Sequence, residues 1–281
     1  MTRWLVTGAA GQLGTHLARQ LPPSDVVALS RDELDITSPR AVTEAVRAAR
    51  PDVVVNAAAY TAVDAAEADE DRAYAVNATG PRLLAAAVAE HGGRLIHVST
   101  DYVFDGTADR PYEPGDPTGP RTAYGRTKLA GEHAVRAALP DCCVVRSAWI
   151  YGGPGANFVD TMLGLEQRRE TVDVVADQTG SPTWVADLAG ALIGLGLSSL
   201  TGRVLHYANA GTASWFELAQ EVFRAVGADP DRVRPVTSAG FARPAPRPAW
   251  SVLSTAEWAA CGLGDPRDWR SALREYLSGK T

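Results

Sequence analysis

The strongest chemical signal in the chain is a tyrosine and a lysine four positions apart, in Tyr124-Gly125-Arg126-Thr127-Lys128. On a helix, residues at i and i+4 share a face, so the phenol and the ammonium point the same way. A carbonyl that takes a hydride at carbon must receive a proton at oxygen, and a tyrosine with a pKa of about 10 is poorly matched to neutral pH. A nearby ammonium stabilises the phenolate and lowers that pKa, which turns the pair into a proton donor for carbonyl reduction. Lys128 can also hold a nicotinamide ribose. Upstream, Ser99-Thr100-Asp101-Tyr102 closes a short apolar run, and Thr100 at such a strand end would hydrogen-bond the substrate oxygen and orient it. Tyr-x-x-x-Lys alone is common on exposed helices, where it has no chemical role, so its meaning here rests on what precedes it.

A phosphate-binding turn precedes it. Directly after Trp4 to Thr7 comes Gly8-Ala9-Ala10-Gly11-Gln12-Leu13-Gly14, followed by apolar Leu17 and Leu21 at helical spacing. Gly8 permits a tight turn, Gly11 lets the backbone approach a pyrophosphate, and Gly14 allows the helix to pack closely on the sheet. The helix N-terminus then offers backbone N–H groups and a partial positive charge. Turns before helices often carry glycine for conformational reasons alone, and it is the placement after a first strand that favours dinucleotide binding. At the end of the second strand, where an NAD-selective enzyme places an acid on the ribose 2′-hydroxyl, this chain has Ser30-Arg31. Arg31 suits a 2′-phosphate, whereas Asp32, Glu33 and Asp35 would repel one. NADPH is the expected cofactor with NADH still open, and the alternative for Arg31 is a solvated surface charge.

The elements that must position these groups are legible. Apolar, β-branched runs at Trp4 to Thr7, Asp25 to Leu29, Asp52 to Val55, Leu95 to Val98 and Cys142 to Arg146 alternate with alanine-rich segments of helical period. This alternation predicts an α/β fold, a Rossmann-type doubly wound parallel sheet with helices on both faces. One helix starts after Thr37-Ser38-Pro39 and runs to about Arg50, a second covers Asp71 to His91 and stops at Gly92-Gly93, and a third begins near Ala123. Asp105 to Arg121, dense in proline, glycine and acid, reads as a long surface loop. Beyond residue 150 the elements shorten, with helices near Phe158 to Arg168, Val185 to Leu197 and Ser214 to Val226, and strands at Thr171 to Val175 and Val204 to Tyr207. The prolines between Ala239 and Ala249 exclude a helix there. The expected organisation is a dinucleotide-binding domain over residues 1–150, to which parts of 170–210 return, and a smaller interleaved substrate domain over 151–281.

The chain has 281 residues, 46% hydrophobic and 21% charged, enough for a sizeable core. A net charge of −6, with Lys and Arg scattered, argues against nucleic acid as a partner. No segment approaches the roughly 18 apolar residues of a membrane span, and the opening apolar run is too short for a signal peptide, so a cytoplasmic protein without membrane contact is expected. Of the three cysteines, Cys142 and Cys143 are adjacent and would point to opposite faces of a strand as packing residues. The histidines show no metal-ligand spacing, and no catalytic metal is expected.

Longer stretches carry a resemblance: Arg50-Pro51-Asp52-Val53-Val54-Val55-Asn56-Ala57-Ala58-Ala59-Tyr60-Thr61-Ala62-Val63-Asp64, Ser99-Thr100-Asp101-Tyr102-Val103-Phe104-Asp105-Gly106, Tyr124-Gly125-Arg126-Thr127-Lys128-Leu129-Ala130-Gly131-Glu132, Arg146-Ser147-Ala148-Trp149-Ile150-Tyr151 and Asp177-Gln178-Thr179-Gly180-Ser181-Pro182-Thr183. Together with the Gly-x-x-Gly-x-x-Gly turn, the chain resembles the dTDP-4-dehydrorhamnose reductase family, extended short-chain dehydrogenases of deoxysugar biosynthesis. The resemblance implies reduction of the 4-keto group of a dTDP-6-deoxyhexulose by NAD(P)H, with Thr100, Tyr124 and Lys128 at the reacting centre. It further implies cofactor contacts from Gly8, Gln12, Leu13, Asp35, Ala57, Ala58 and Tyr60, and sugar contacts from Val63, Tyr102 and Trp149. Asn157 and Arg247 match positions that could meet the sugar nucleotide. Trp149 could equally be core, and Asn77 is expected to brace a helix near the site rather than to touch substrate. Some family members dimerise through a magnesium ion held by acids, one of them soon after the glycine turn; this chain has Thr15-His16 there, so a monomer or a homodimer without a bridging metal is expected. Two other readings stay open: a non-catalytic nucleotide-binding regulatory subunit of the same fold, and a nucleotide-sugar epimerase.

Overall fold

The computed structural model describes residues 1–241 and 243–280; Ala242, within the proline-rich stretch, and Thr281 lie outside the described residues. The first half runs β1 (Trp4–Thr7), α1 (Gln12–Gln20), β2 (Val26–Leu29), α2 (Pro39–Ala49), β3 (Val53–Asn56), α3 (Val63–Ala66), α4 (Glu70–Tyr74), a π-turn (Ala75–Thr79), α5 (Gly80–His91), β4 (Arg94–Thr100), α6 (Ala123–Ala138) and β5 (Cys143–Ser147). The second runs β6 (Ile150–Tyr151), α7 (Phe158–Glu166), β7 (Val172–Val175), β8 (Thr179–Gly180), β9 (Thr183–Trp184), α8 (Val185–Leu197), β10 (Val204–His206), β11 (Ala213–Ser214), α9 (Trp215–Ala225), β12 (Val233–Val236), α10 (Ala256–Ala260) and α11 (Trp269–Ser278).

Six strands form one parallel sheet in the order β10-β5-β4-β3-β1-β2. Its strands are apolar on both sides because both sides are covered. In β1, Trp4 and Val6 pack with Leu17 of α1 and Leu188 and Leu192 of α8, while Leu5 packs with Val42 of α2 and Leu84 of α5. The chain therefore returns to the first sheet with α8 and β10 after leaving it at β5. Strand order reverses at β1, between β2 and β3, and open α/β sheets bind ligands outside the carboxyl ends of the strands at such a point.

Local chemistry sets several boundaries. Ser38 caps α2 by accepting from Ala41 N at 3.3 Å, with Pro39 in the first turn. Thr122 caps α6 through Gly125 N at 3.0 Å. The single helix expected over Asp71 to His91 is interrupted, since α4 passes into the π-turn before α5 begins. At that turn α6 comes close, and a Cβ on Gly131 would stand 2.0 Å from Asn77 O. Such widened turns gather at functional sites.

The second half has its own core, in which Val159 and Met162 of α7, Leu218, Val222 and Phe223 of α9, and Trp269, Leu273 and Leu277 of α11 surround Val172 and Val174 of β7. β12 pairs with β7 in parallel. The loop from Asp105 to Arg121 is anchored rather than loose. Tyr112 stacks on Phe104 at 4.1 Å and donates to Asp105 Oδ1 at 2.7 Å, and Arg146 Nη1 donates to Pro114 O at 3.1 Å. Arg146 also forms a buried two-pronged pair with Glu132 of α6, at 2.8 and 2.7 Å, and Ser99 donates to the same carboxylate at 2.6 Å. This knot ties α6 to the ends of β4 and β5. Among the described residues, no helix is long and apolar enough to cross a membrane.

Candidate active site

A cavity of about 1500 Å³ lies along the carboxyl ends of the strands and extends against the second half of the chain. At one end is the turn after β1. Gly8 has φ +72°, and a Cβ on it would lie 2.7 Å from Ala58 N; a Cβ on Gly14 would lie 2.2 Å from Gly8 O. Both glycines are thus required by close backbone approach. The N-terminus of α1 has no capping side chain and no acid in its first turn, and its Gly11, Gln12, Leu13 and Gly14 line the cavity. An uncapped, acid-free helix start facing a cavity suits an anion. Gly153 N donates to Gln12 Oε1 at 3.3 Å and so ties the turn to the loop after β6.

The wall beyond the turn holds Arg31, Asp35, Ala57, Ala58 and Tyr60. Asp35 is kept ionised by Thr37, whose hydroxyl and backbone N–H both donate to it and lower its pKa. Ser30, expected at the cofactor, stands outside the cavity lining, and its N–H donates to the Glu33 carboxylate at 2.8 Å in a local turn.

The chemistry-bearing residues meet near the middle. Thr100 ends β4 and is in register with Ser147 of β5, while Tyr124 and Lys128 lie on α6; all line the cavity. Tyr102 meets Tyr124 edge to face, with ring centroids 5.5 Å apart. Thr100 Oγ1 donates to Asp101 Oδ1 at 2.9 Å. Burial raises the Asp101 carboxyl to about 6, against the Ser251 and Thr100 hydroxyls, which favour its charge. The Lys128 ammonium donates to Val98 O at 2.6 Å. Burial brings its pKa down to about 8, opposed by Glu132.

The tyrosine differs from the sequence-based expectation. Burial pushes Tyr124 up to about 12, with the Thr100 hydroxyl pulling the other way and the Asp101 charge adding to the rise. With Lys128 bonded to the β4 backbone, desolvation outweighs any help from the ammonium. The phenol is therefore held protonated at neutral pH, as an acid that gives a proton must be.

Behind these groups, Thr7 Oγ1 donates to Asn56 Oδ1 at 2.7 Å, and Asn56 Nδ2 meets His97 Nδ1 at 3.0 Å. Burial and the Lys128 charge hold His97 neutral. Asn77 is a brace: its Oδ1 accepts from Tyr60 N at 2.8 Å, and its Nδ2 donates to Tyr60 O and to Thr127 Oγ1, each at 3.1 Å. It clamps the loop after β3 to α6.

At the far end, Val63, Tyr102, Trp149 and Arg247 line the cavity. Trp149 is at φ +46°, a left-handed conformation unusual for a bulky residue. Its ring lies parallel to Trp215 at 3.5 Å, and Phe158 tilts against Trp215 at 4.5 Å. Asn157, expected near the sugar nucleotide, is placed as a helix cap. It does not line the cavity, because its Oδ1 caps α7 at Asp160 N (3.0 Å) and its Nδ2 donates to Asp160 Oδ2 (2.7 Å). Trp215, Phe158, Gln178 and Arg243 line the cavity without having been singled out in the sequence. In the structure Ser214 caps α9 just before Trp215 by accepting from Glu217 N at 3.1 Å, and the sequence showed that stretch only as a helix.

Residues 2–281 match the family model described as the RmlD substrate binding domain. A probable dTDP-4,6-dihydroxy-2-methyloxan-3-one 4-ketoreductase of Streptomyces antibioticus is 55% identical over 276 residues, covering 97% of this chain and 94% of that protein. A dTDP-4-dehydrorhamnose reductase of Mycobacterium tuberculosis is 55% identical over 283 residues, covering 98% and 92%. The crystal structure of a dTDP-4-dehydrorhamnose reductase from Bacillus anthracis in complex with NADP superposes with a TM-score of 0.95 at 38% identity, covering 99% of both chains. With the glycine turn, the strand-end threonine and the Tyr-x-x-x-Lys helix in one cavity, the chain belongs to the RmlD family, that of the dTDP-4-dehydrorhamnose reductases.

Proposed function

We propose that this protein reduces the 4-keto group of a dTDP-4-keto-6-deoxyhexose in deoxysugar biosynthesis, with NADPH as the favoured cofactor and NADH as the alternative. The observation that carries the reading is the joining of two ends in one cavity: the acid-free start of α1, and the Thr100, Tyr124 and Lys128 set. The residues present fit a nicotinamide dinucleotide. Gly8, Gly11, Gln12, Leu13 and Gly14 would hold its pyrophosphate, Ala57, Ala58 and Tyr60 would flank it, Arg31 and Asp35 would meet the adenosine ribose, and Tyr124 and Lys128 the nicotinamide ribose. When bound there, the cofactor supplies the hydride.

The chain's own part is protonation and orientation. Tyr124, held neutral by burial, gives its proton to the keto oxygen as negative charge grows there. The phenolate that remains is stabilised by the Lys128 ammonium, which shares its helix face. Thr100 sits beside the phenol and orients the same oxygen. Val63, Tyr102 and the Trp149–Trp215 stack form an apolar wall against which a sugar ring can lie, and the strained backbone at Trp149 is the cost of presenting that ring. We also place the cofactor on residues 1–150 with α8 and β10, and the sugar nucleotide mainly on the remainder. The protein is expected to act in the cytoplasm as a monomer or as a homodimer without a bridging metal.

Replacing Tyr124 by phenylalanine tests the reading. The ring and its contact with Tyr102 remain while the proton donor is lost, so keto-sugar reduction should fall about 10³-fold with NADPH binding unchanged. Turnover like that of the unaltered protein would defeat the assignment.

A further inference from the structure

At the mouth of the cavity, Asp64 of α3 gathers the segment that follows β12. Its Oδ2 accepts from Arg247 Nη2 at 2.9 Å and from Arg243 Nη1 at 3.4 Å, and its Oδ1 accepts from Ala245 N at 3.2 Å. Arg247 Nη1 turns back onto Ala245 O at 3.0 Å, which fixes the guanidinium plane. Both arginines line the cavity, and Asp64 itself does not. Elsewhere the same segment is held by Ser238, which donates to Asp177, and by Trp250 N, which donates to Gly106 O at 3.2 Å. Asp64 is thus the tie between the arginine-bearing part of this strap and the segment after β3, while Trp250 ties its far end to Gly106.

The two arginines with one aspartate keep a net positive charge, and each guanidinium brings five N–H donors, of which these bonds use few. The position is informative. Arg247 and Asp64 both act on the Tyr102 phenol, which lies against the Tyr124 ring. On a pyranose, the anomeric carbon lies across the ring from C4. A diphosphate on that carbon therefore starts one sugar ring beyond the proton donor, and Arg247, which acts on the Tyr102 phenol beside that donor, lines the same cavity.

We propose that Asp64 is a positioning residue for the substrate diphosphate: it aligns Arg247 and Arg243 as a fork at the cavity mouth before the sugar nucleotide arrives. The inference rests on the sugar-nucleotide reading and names what recognises its anionic part. Pre-aligned arginines bind phosphate with less ordering cost than mobile ones. Removing Asp64 leaves both guanidinium groups in place but unaligned.

The test is calorimetric titration of the NADPH-saturated protein with dTDP and, separately, with thymidine, for the unaltered protein, Asp64→Asn and Asp64→Glu, alongside steady-state kinetics. Asp64→Asn should weaken dTDP about tenfold, leave thymidine within about twofold, and place the kinetic loss on KM rather than kcat. Asp64→Glu, which keeps the carboxylate, should recover part of the affinity. Arg243→Ala, at an exposed partner, should also weaken dTDP without lowering Tm, so the inference stays testable if Asp64→Asn folds poorly. Equal weakening of dTDP and thymidine, or unchanged or tighter dTDP binding, would overturn it. An unaltered protein that binds thymidine as tightly as dTDP would overturn it too, whereas one that binds neither would remove the sugar-nucleotide reading beneath it.

Discussion

Replacing Lys128 by methionine should make the protein more stable and less active at once. The side chain is buried, and burial lowers its pKa from 10.5 to about 8. That drop, about 2.5 pH units at about 1.4 kcal/mol each, means that keeping Lys128 charged in the folded protein costs on the order of 3 kcal/mol. Because the folded value lies below the unfolded one, folding releases a proton between pH 8 and 10.5. The cost is carried in full below pH 8, and stability from this group returns as pH rises towards 10.5. Methionine removes the cost but also the bond to Val98 O, at 2.6 Å, and leaves that carbonyl without its donor. An unsatisfied buried acceptor costs about 1–2 kcal/mol. The balance is a gain of about 1–2 kcal/mol near neutral pH, or roughly 2–4 °C in Tm. At pH 10 most of the charge cost is gone while the lost bond remains, so the sign should reverse. Urea unfolding at pH 7 and pH 10 reads both numbers, and NADPH turnover should fall at least about 100-fold. A variant equally destabilised at both pH values would refute the reasoning about the buried ammonium, and one with retained turnover would refute its chemical role.

Asp101 has the opposite proton balance. Its folded pKa is raised from 3.8 to about 6, so the stability it contributes is present below pH 3.8 and lost as pH rises through 6. Relative to the unaltered protein, Asp101→Asn should therefore gain about 2 kcal/mol between pH 4 and pH 7 in urea titrations, and a difference that stays flat with pH would contradict the buried carboxylate. For Glu132→Gln, which strands the buried Arg146 charge, the expected loss is about 3–5 kcal/mol and a Tm lower by about 10 °C. Unchanged melting by calorimetry would show that the Glu132–Arg146 knot does not hold α6 to the sheet.

Features encoded within a few residues were legible in the sequence, and those made by distant residues were not. The glycine turn after β1, the i, i+4 pair of Tyr124 and Lys128, and the cap at Ser38 depend on local spacing, and each lies where that spacing placed it. The Trp149–Trp215 stack and the Asp64–Arg247 tie join segments with no shared periodicity. Short polar residues also serve turns and helix caps, and Ser30 and Asn157 make such local bonds outside the cavity lining, which their sequence positions alone did not signal. The rise in the Tyr124 pKa could not be read from the pair alone, since burial is a tertiary property and here outweighs the neighbouring charge. Helix α11 was legible in principle: Asp268 caps it, and Trp269, Ala272, Leu273, Tyr276 and Leu277 recur at helical spacing on its buried face.

The measurement that bears most directly on the central claim is the loss of NADPH absorbance when the purified protein is mixed with dTDP-4-keto-6-deoxyglucose, with and without a 3,5-epimerase, and with NADH in parallel. Net oxidation is expected, one NADPH for each keto group reduced. Oxidation only with the epimerase would assign a rhamnose-type substrate, and oxidation without it another 4-keto sugar. Cofactor binding without oxidation under either condition would contradict the account.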